Sequence, residues 1–127
     1  MTAETLIPGA TTLAQLERIY RQEVAARLDA GARGPVESAA ARIAAAAAGT
    51  EPVYGVNTGY GKSCGRRMSM DLALKNGGNI FRFHGCGTGD PIGIEETRAA
   101  IFCRILCLAR GYSGVSVGLL RQMAGFL

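Results

Sequence analysis

The chain has 127 residues, a net charge of +4 and 48% apolar residues, so it has room for one small domain with a modest hydrophobic core. Its basic residues are dispersed among acidic ones, with no basic block longer than Arg66-Arg67, which argues against a nucleic-acid-binding surface. The most apolar window, residues 99–109, is short and contains Arg104, which argues against a membrane span.

Cysteine usage and the N-terminal residues bear on the cellular compartment. No basic region followed by an apolar core opens the chain, so we expect no signal peptide. Without a secretion signal, the cysteines are expected to be reduced thiols rather than a disulfide framework; they are Cys64, Cys86, Cys103 and Cys107. The sequence therefore predicts a cytoplasmic protein.

Helical periodicity begins near the N-terminus. Ile7-Pro8-Gly9 predicts an extended arm and a turn. Thr12 precedes Gln15 in a capping-box pattern, and apolar residues at helical spacing follow. These features predict a first helix over about Leu13 to Leu28.

Two further helices are predicted in the middle of the chain. The stretch Gly31-Ala32-Arg33-Gly34 is expected to break the first helix, and Pro35 suits the first residue of a second helix that ends near Gly49. Ser69 suits the N-cap of a third helix, whose far end should be weakened at Gly77-Gly78 by about 1 kcal/mol per glycine relative to alanine.

The clearest helix is predicted over Ile94 to Arg110, with two glutamates in its first turn and Gly111 just beyond its end. Ser113 or Ser116 is expected to start another. Together these elements predict a mainly α domain. The apolar face of the last helix has too few partners within this chain, so we expect residues 1–127 to be the beginning of a longer protein.

Two glycine-rich loops interrupt the predicted helices, at Val53 to Lys62 and at Arg82 to Asp90. Each is expected to expose a side chain that can carry chemistry, Tyr54 in the first loop and His84 in the second. A lone tyrosine or histidine is more often a packing or structural residue, so this interpretation depends on the surrounding glycines.

Neither loop fits a nucleotide-binding motif. A phosphate loop requires G-x-x-x-x-G-K-[ST], and Gly55 and Gly61 are one residue too far apart for it. The spacing Gly85-x-Gly87-x-Gly89 is not G-x-G-x-x-G, and no convincing strand precedes it.

A metal site would draw on His84-x-Cys86 and on the helical pair Cys103 and Cys107, which offer one nitrogen and three sulfurs. Neither of these pairs has the tight C-x-x-C spacing of a typical zinc site. Cysteines among apolar helical residues are usually small core residues. We therefore expect no metal site, with Cys103 and Cys107 in the core.

The stretch Tyr54 to Lys62 resembles the Y-G-x-N-T-G-F-G signature of the aromatic amino acid ammonia-lyases, a family with histidine, phenylalanine and tyrosine ammonia-lyases and related aminomutases. The similarity extends in register over nearly the whole chain, at Thr11 to Leu16, Asn79-Ile80, His84 to Gly87 and Leu108 to Val115. The resemblance implies that residues 1–127 are a helical N-terminal domain fragment of an ammonia-lyase-like fold with glycine-rich active-site loops.

The resemblance also implies a prosthetic group. In the family a methylidene-imidazolone electrophile forms by cyclisation of an Ala-Ser-Gly triplet, which does not occur in these 127 residues. We therefore expect the triplet shortly beyond Leu127 and expect this chain alone to be inactive. By the same resemblance the complete enzyme is a cytoplasmic homotetramer that acts on a small aromatic amino acid without a metal.

Roles for residues of the first loop follow from the resemblance. Tyr54 matches the catalytic base, which removes the β-proton of the substrate as the amine leaves. Because a tyrosine phenol ordinarily holds its proton until about pH 10, the site must favour the phenolate. The active-site loop comprises Gly55, Asn57, Thr58, Gly59 and Gly61, and its glycines are expected to let the loop close and exclude water.

His84 matches the ring-selectivity position of the family, where a polar side chain favours imidazole or phenol over phenyl. Phe83 is expected to contact the substrate too, although histidine lyases commonly have serine there. The implied function is elimination of ammonia from L-histidine to give urocanate. A tyrosine or phenylalanine ammonia-lyase, a 2,3-aminomutase and a non-catalytic helical binding or assembly module remain open.

Overall fold

The computed structural model describes residues 3–21 and 24–127 and is mainly helical, which confirms the predicted fold class. Short 3-10 turns at Ala30–Ala32 and Gly61–Ser63 accompany the regular elements. In chain order the strands and α-helices are β1 (Ala3–Leu6), α1 (Leu13–Tyr20), β2 (Ala25–Leu28), α2 (Arg33–Ala48), α3 (Met70–His84), α4 (Ile94–Leu108) and α5 (Val117–Ala124).

The prediction of one helix from Leu13 to Leu28 is wrong in its second half. The helix α1 ends at Tyr20, and β2 pairs in parallel with β1, with Leu28 opposite Leu6. Residues 22 and 23 of the predicted helix lie outside the described residues. Spacing alone could not reveal the strand, because its stabilising partner β1 is distant in sequence and tertiary pairing overrides local propensity.

The prediction that Gly31 to Gly34 ends the first helix and that Pro35 begins the next is also wrong. The side chain of Asp29 accepts a hydrogen bond from Gly31 N–H at 2.8 Å, and the resulting 3-10 turn leads directly into α2 at Arg33. Pro35 is the third residue of this helix, where a backbone N–H would have no partner within the helix, so a proline is tolerated.

The structure divides into two compact units, and the first comprises the residues up to Ala41 together with Pro91–Leu127. Within it α4 packs against α1 and α5. The hydroxyl of Tyr20 on α1 donates to the Glu96 carboxylate on α4 at 3.4 Å, and the negative charge of Glu96 raises the pKa of Tyr20. The core of this unit consists of Ala32, Val36, Ile105, Leu108, Ala109 and Leu120.

The end of α4 follows the prediction to within two residues, since the helix ends at Leu108 rather than Arg110. Gly111 then turns the chain with a φ of +76°, and a Cβ built on it would lie 2.6 Å from the backbone carbonyl carbon of Pro35. Of the two predicted caps that follow, Ser116 is the one used, because its Oγ accepts from Leu119 N–H at 3.1 Å and begins α5.

The second unit, Arg42–Asp90, contains the end of α2, the tyrosine loop and α3. Ser69 caps α3 as predicted, with its Oγ 3.3 Å from Leu72 N. The helix continues through Gly77-Gly78 to His84, so the second glycine-rich loop begins at Gly85 rather than Arg82. Phe83 and His84 therefore lie in the last helical turn, which corrects their predicted place in a loop.

No helix within residues 3–21 and 24–127 is both long enough and apolar enough to cross a membrane. The prediction that Cys103 and Cys107 are core residues is wrong, because both are exposed. The buried face of α4 carries Phe102, Ile105 and Leu108, and the 3.6-residue period places the two cysteines on the opposite side of the helix.

Candidate active site

The tyrosine loop, defined as residues 49–69 between α2 and α3, is anchored by Asn57. The side chain of Asn57 is only 3% exposed, and its Oδ1 accepts a hydrogen bond from Val53 N–H at 2.8 Å. Its Nδ2 donates to the carbonyl oxygens of Ala46 and Glu51 at 3.1 and 2.9 Å. Because Ala46 belongs to the end of α2, this amide fastens the loop to the helix that precedes it.

Thr58 provides a second anchor and is 1% exposed. Its Oγ1 accepts from Gly55 N–H at 3.2 Å and lies 3.0 Å from the Gly59 carbonyl oxygen, to which it donates. The backbone of Thr58 forms an antiparallel bridge with Arg67, whose guanidinium donates to the Gly49 carbonyl at 2.7 Å.

These contacts separate the structural residues of the loop from those open to a ligand. Asn57 uses its acceptor and both amide hydrogens, and the hydroxyl of Thr58 is enclosed, so neither side chain is available to a substrate. Both side chains hold the backbone of the loop in place through hydrogen bonds within it. The conformation of the backbone then decides what the loop presents to solvent.

Close approach within the loop explains the glycine at position 59. A Cβ on Gly59 would lie 2.6 Å from the Ser63 Cβ and 2.8 Å from the Ser63 carbonyl oxygen, so a larger residue would push the Gly61–Ser63 turn away. The other two glycines predicted in this site, Gly55 and Gly61, both have positive φ, of +71° and +55°.

Tyr54 and Tyr60 are the exposed aromatic residues of the loop, at 63% and 42%. Their rings meet edge to face, with centroids 5.9 Å apart and planes at 83°. The backbone N–H of Gly61 donates to the Tyr54 hydroxyl oxygen at 3.2 Å. The Tyr60 hydroxyl donates to the Gly55 carbonyl oxygen at 3.3 Å.

The direction of these two hydrogen bonds gives the two phenols different chemistry. A backbone N–H can only donate, so the bond from Gly61 persists and strengthens when the Tyr54 oxygen becomes a phenolate. A carbonyl can only accept, so the bond of Tyr60 to Gly55 is lost if Tyr60 gives up its proton. The two phenols therefore differ in hydrogen-bond role, since the Tyr54 oxygen accepts from the backbone and the Tyr60 hydroxyl donates to it.

His84 lies in the last turn of α3, with its Nδ1 2.9 Å from the Ile80 carbonyl oxygen. Because a carbonyl only accepts, Nδ1 carries the hydrogen, and in the neutral ring Nε2 is left as an acceptor on an exposed side chain. Phe83 is exposed as well. Among the described residues no hydrogen bond or ring contact joins Tyr54 to His84 or Phe83, so the predicted base and the two predicted substrate-binding residues are not linked by such a contact.

The sequence-based list includes Gly61 as a loop glycine but does not identify its N–H as a donor, and it omits the Tyr60 side chain. Backbone donors carry no sequence signal. Tyr60 does carry one, since the family signature has phenylalanine at that position and the additional hydroxyl reaches the Gly55 carbonyl. Across the part of the chain that the structure describes, no group of three or more His, Cys, Asp or Glu side chains could hold a metal ion.

Residues 11–127 match the family model of the aromatic amino acid lyases. The fold is similar to that of an ergothioneine-degrading enzyme, ergothionase from Treponema denticola, with a TM-score of 0.87 and 23% identity over 97% of this chain and 25% of that one. It is similar to tyrosine aminomutase from Streptomyces globisporus, with a TM-score of 0.88 and 22% identity over 99% and 24% of the two chains. The chain thus spans about a quarter of the length of these structures.

Proposed function

The chain belongs to the aromatic amino acid lyase family, and from this we propose that it supplies the catalytic tyrosine loop of an enzyme that eliminates ammonia from an aromatic amino acid, with Tyr54 as the base. The observation that carries the proposal is the bond from Gly61 N–H to the hydroxyl oxygen of exposed Tyr54. This bond leaves the Tyr54 oxygen in the role of an acceptor, as a group that takes a proton from a substrate requires.

The step assigned to Tyr54 is removal of a proton from the β-carbon of the amino acid. The phenolate oxygen takes the proton, the electron pair of the broken C–H bond forms the α,β double bond, and the bond from the α-carbon to nitrogen breaks to release ammonia. The Gly61 N–H holds the phenolate oxygen in place before the transfer and bonds the phenol oxygen after it.

The electrophile that activates the amine in this family forms from Ala-Ser-Gly, and residues 1–127 do not contain that triplet. Residues 1–127 therefore cannot form this electrophile. The step proposed for this chain is limited to removal of the β-proton. We propose that the electrophile and the remaining substrate contacts belong to other parts of a cytoplasmic homotetramer.

The substrate proposed is L-histidine, with urocanate as the product. His84 supports this choice, because an exposed imidazole whose Nε2 accepts can bind the ring N–H of histidine or the hydroxyl of tyrosine, but finds no partner on phenylalanine. We propose that the exposed apolar side chain of Phe83, the preceding residue, also contacts the substrate ring. Tyrosine or phenylalanine elimination and 2,3-aminomutase activity are the alternative outcomes, and the similar structures include an ergothionase and tyrosine aminomutases.

The proposal is tested by supplying the purified protein that carries this chain with L-histidine, L-tyrosine, L-phenylalanine and ergothioneine. Unsaturated acids are followed by ultraviolet absorbance, and β-amino acids by mass spectrometry. We expect the highest kcat/KM with histidine. His84→Leu should lower that value by about 10–100-fold while leaving the value for phenylalanine within about threefold.

Each other outcome has a defined meaning. A β-amino acid product would assign an aminomutase, and a preference for tyrosine or ergothioneine that His84→Leu does not change would remove His84 from the ring pocket. No turnover of any of the four compounds would overturn the proposed function. A non-catalytic binding module would then be the better interpretation, although Arg67, one of its candidate phosphate contacts, is already bonded to Gly49.

A further inference from the structure

Tyr54 and Tyr60 are held together by two reciprocal hydrogen bonds. The Tyr54 hydroxyl is bonded to the residue that follows Tyr60, and the Tyr60 hydroxyl is bonded to the residue that follows Tyr54. The edge-to-face contact of the rings closes the arrangement, with centroids 5.9 Å apart. We refer to Tyr54, Gly55, Tyr60 and Gly61 as the tyrosine clasp.

Within the clasp, the Tyr54 side chain makes one hydrogen bond and one ring contact. The ring is 63% exposed, and among the described residues its polar contact is with Gly61 and its aromatic contact is with Tyr60. The Tyr60 ring in turn lies over Gly55, where a Cβ would come within 3.1 Å of the Tyr60 Cε1. Movement of Tyr60 would therefore release the ring of Tyr54 and displace the backbone that leads to the Gly61 N–H.

We propose that Tyr60 is a positioning residue that sets the direction of the Tyr54 hydroxyl, and this inference rests on the proposed function of Tyr54 as the base. Tyr60 does not exchange a proton with substrate, since its own proton is donated to the Gly55 carbonyl. The Tyr60 ring restricts rotation of the Tyr54 ring. The Tyr60 hydroxyl donates to the Gly55 carbonyl and so links the two ends of the clasp. An aromatic residue at this position is sufficient for the first action, and tyrosine adds the second.

Two substitutions separate these actions. Tyr60→Phe keeps the ring and removes the hydroxyl, whereas Tyr60→Leu removes both. Tyr112→Phe is the matched control, because Tyr112 is an exposed tyrosine outside the clasp whose ring lies against Arg110. The first measurement is hydrogen exchange of the Gly61 amide, followed by mass spectrometry in the protein that carries this chain. The second is kcat and KM for elimination in the protein that carries the chain.

We expect slowed exchange of the Gly61 amide in the parent chain, and at least about tenfold faster exchange in both Tyr54→Phe and Tyr60→Leu. Because a misplacement of about 1 Å can cost about 100-fold in rate, Tyr60→Leu should lower kcat by about 10–100-fold with KM within about twofold. Tyr60→Phe should restore kcat to within about threefold of the parent, and Tyr112→Phe should change neither quantity.

The results distinguish this inference from the proposed function. If Tyr60→Leu leaves both the Gly61 exchange rate and kcat at parental values, the positioning role is overturned, while a loss of turnover in Tyr54→Phe would still support the base. If Tyr54→Phe keeps parental turnover, the proposed function falls, whatever the exchange measurements report. A rise in KM without a change in kcat for Tyr60→Leu would assign Tyr60 to substrate binding and overturn the inference as well.

Discussion

Tyr54 and Tyr60 show how the backbone can give two identical side chains different chemistry. Both phenols are exposed and both belong to one short loop, yet one accepts from an N–H and the other donates to a carbonyl. The sequence identified Tyr54 through a family signature. It could not show that the two phenols differ in hydrogen-bond role, because that difference depends on the orientation of two peptide groups.

Asn57 and Thr58 were expected to be polar groups of the active-site loop, and the structure gives them a more specific place. Both side chains are buried and bonded to the loop's own backbone. A residue type and a motif predict that an asparagine matters, but whether it faces a ligand or the loop interior depends on where the backbone carbonyls lie.

The structural role of Asn57 predicts a large effect on stability. Asn57→Ala should lower the free energy of unfolding by about 2–4 kcal/mol, because it leaves Val53 N–H and the Glu51 carbonyl without the Asn57 amide and removes one of the two bonds to the Ala46 carbonyl, which also accepts from Gly49 N–H. Asn79→Ala, an exposed position on α3, is the matched control and should stay within about 0.5 kcal/mol of the parent. Urea denaturation measures both, and equal effects would show that the Asn57 amide does not hold the loop.

At the level of elements, local signals were predicted well. The capping box of Thr12 and Gln15 and the caps Ser69 and Ser116 are all present, because each cap is a contact between residues close in sequence. The strand β2 was missed because its partner β1 is distant in the chain.

The helix α3 is longer than the glycine propensities predicted, since it runs to His84. The helix passes through Gly77-Gly78, where added Cβ atoms would meet none of the described residues within 4 Å, so packing within the described part of the chain does not require these glycines. Each glycine lowers the stability of the helix by about 1 kcal/mol relative to alanine, which does not prevent a capped helix from forming. His84 consequently belongs to a helix rather than to a loop.

The turn after α4 gives a prediction at the scale of elements. Gly111→Ala should lower the free energy of unfolding by at least about 2 kcal/mol, because Gly111 has a φ of +76° and its added Cβ would overlap Pro35 of α2. Gly118→Ala is the control, since Gly118 lies in α5 and, of the described residues, only Ser116 comes near an added Cβ, with its Oγ at 3.6 Å. It should be neutral or stabilising by up to about 1 kcal/mol. Thermal unfolding followed by circular dichroism compares the two, and a tolerated Gly111→Ala would contradict the close approach to Pro35.

For the molecule as a whole, the sequence predicted the family and the fold class, and both are confirmed. The chain also carries apolar side chains that remain exposed, among them Met70, Leu74 and Phe81 along one face of α3. A helical pattern predicts that such a face exists, but the pattern does not record what covers it. The role of Tyr54, the ring preference of His84 and the tetramer stay predictions.

The most direct test of Tyr54 as the base is the turnover number of Tyr54→Phe in the protein that carries this chain, with Tyr112→Phe as the control. The variant removes one oxygen atom, so the circular dichroism spectrum should match that of the parent. We expect kcat to fall by at least about 100-fold, as loss of a positioned general base predicts, and Tyr112→Phe to keep parental turnover. Parental turnover in a folded Tyr54→Phe variant would contradict the assignment of the base.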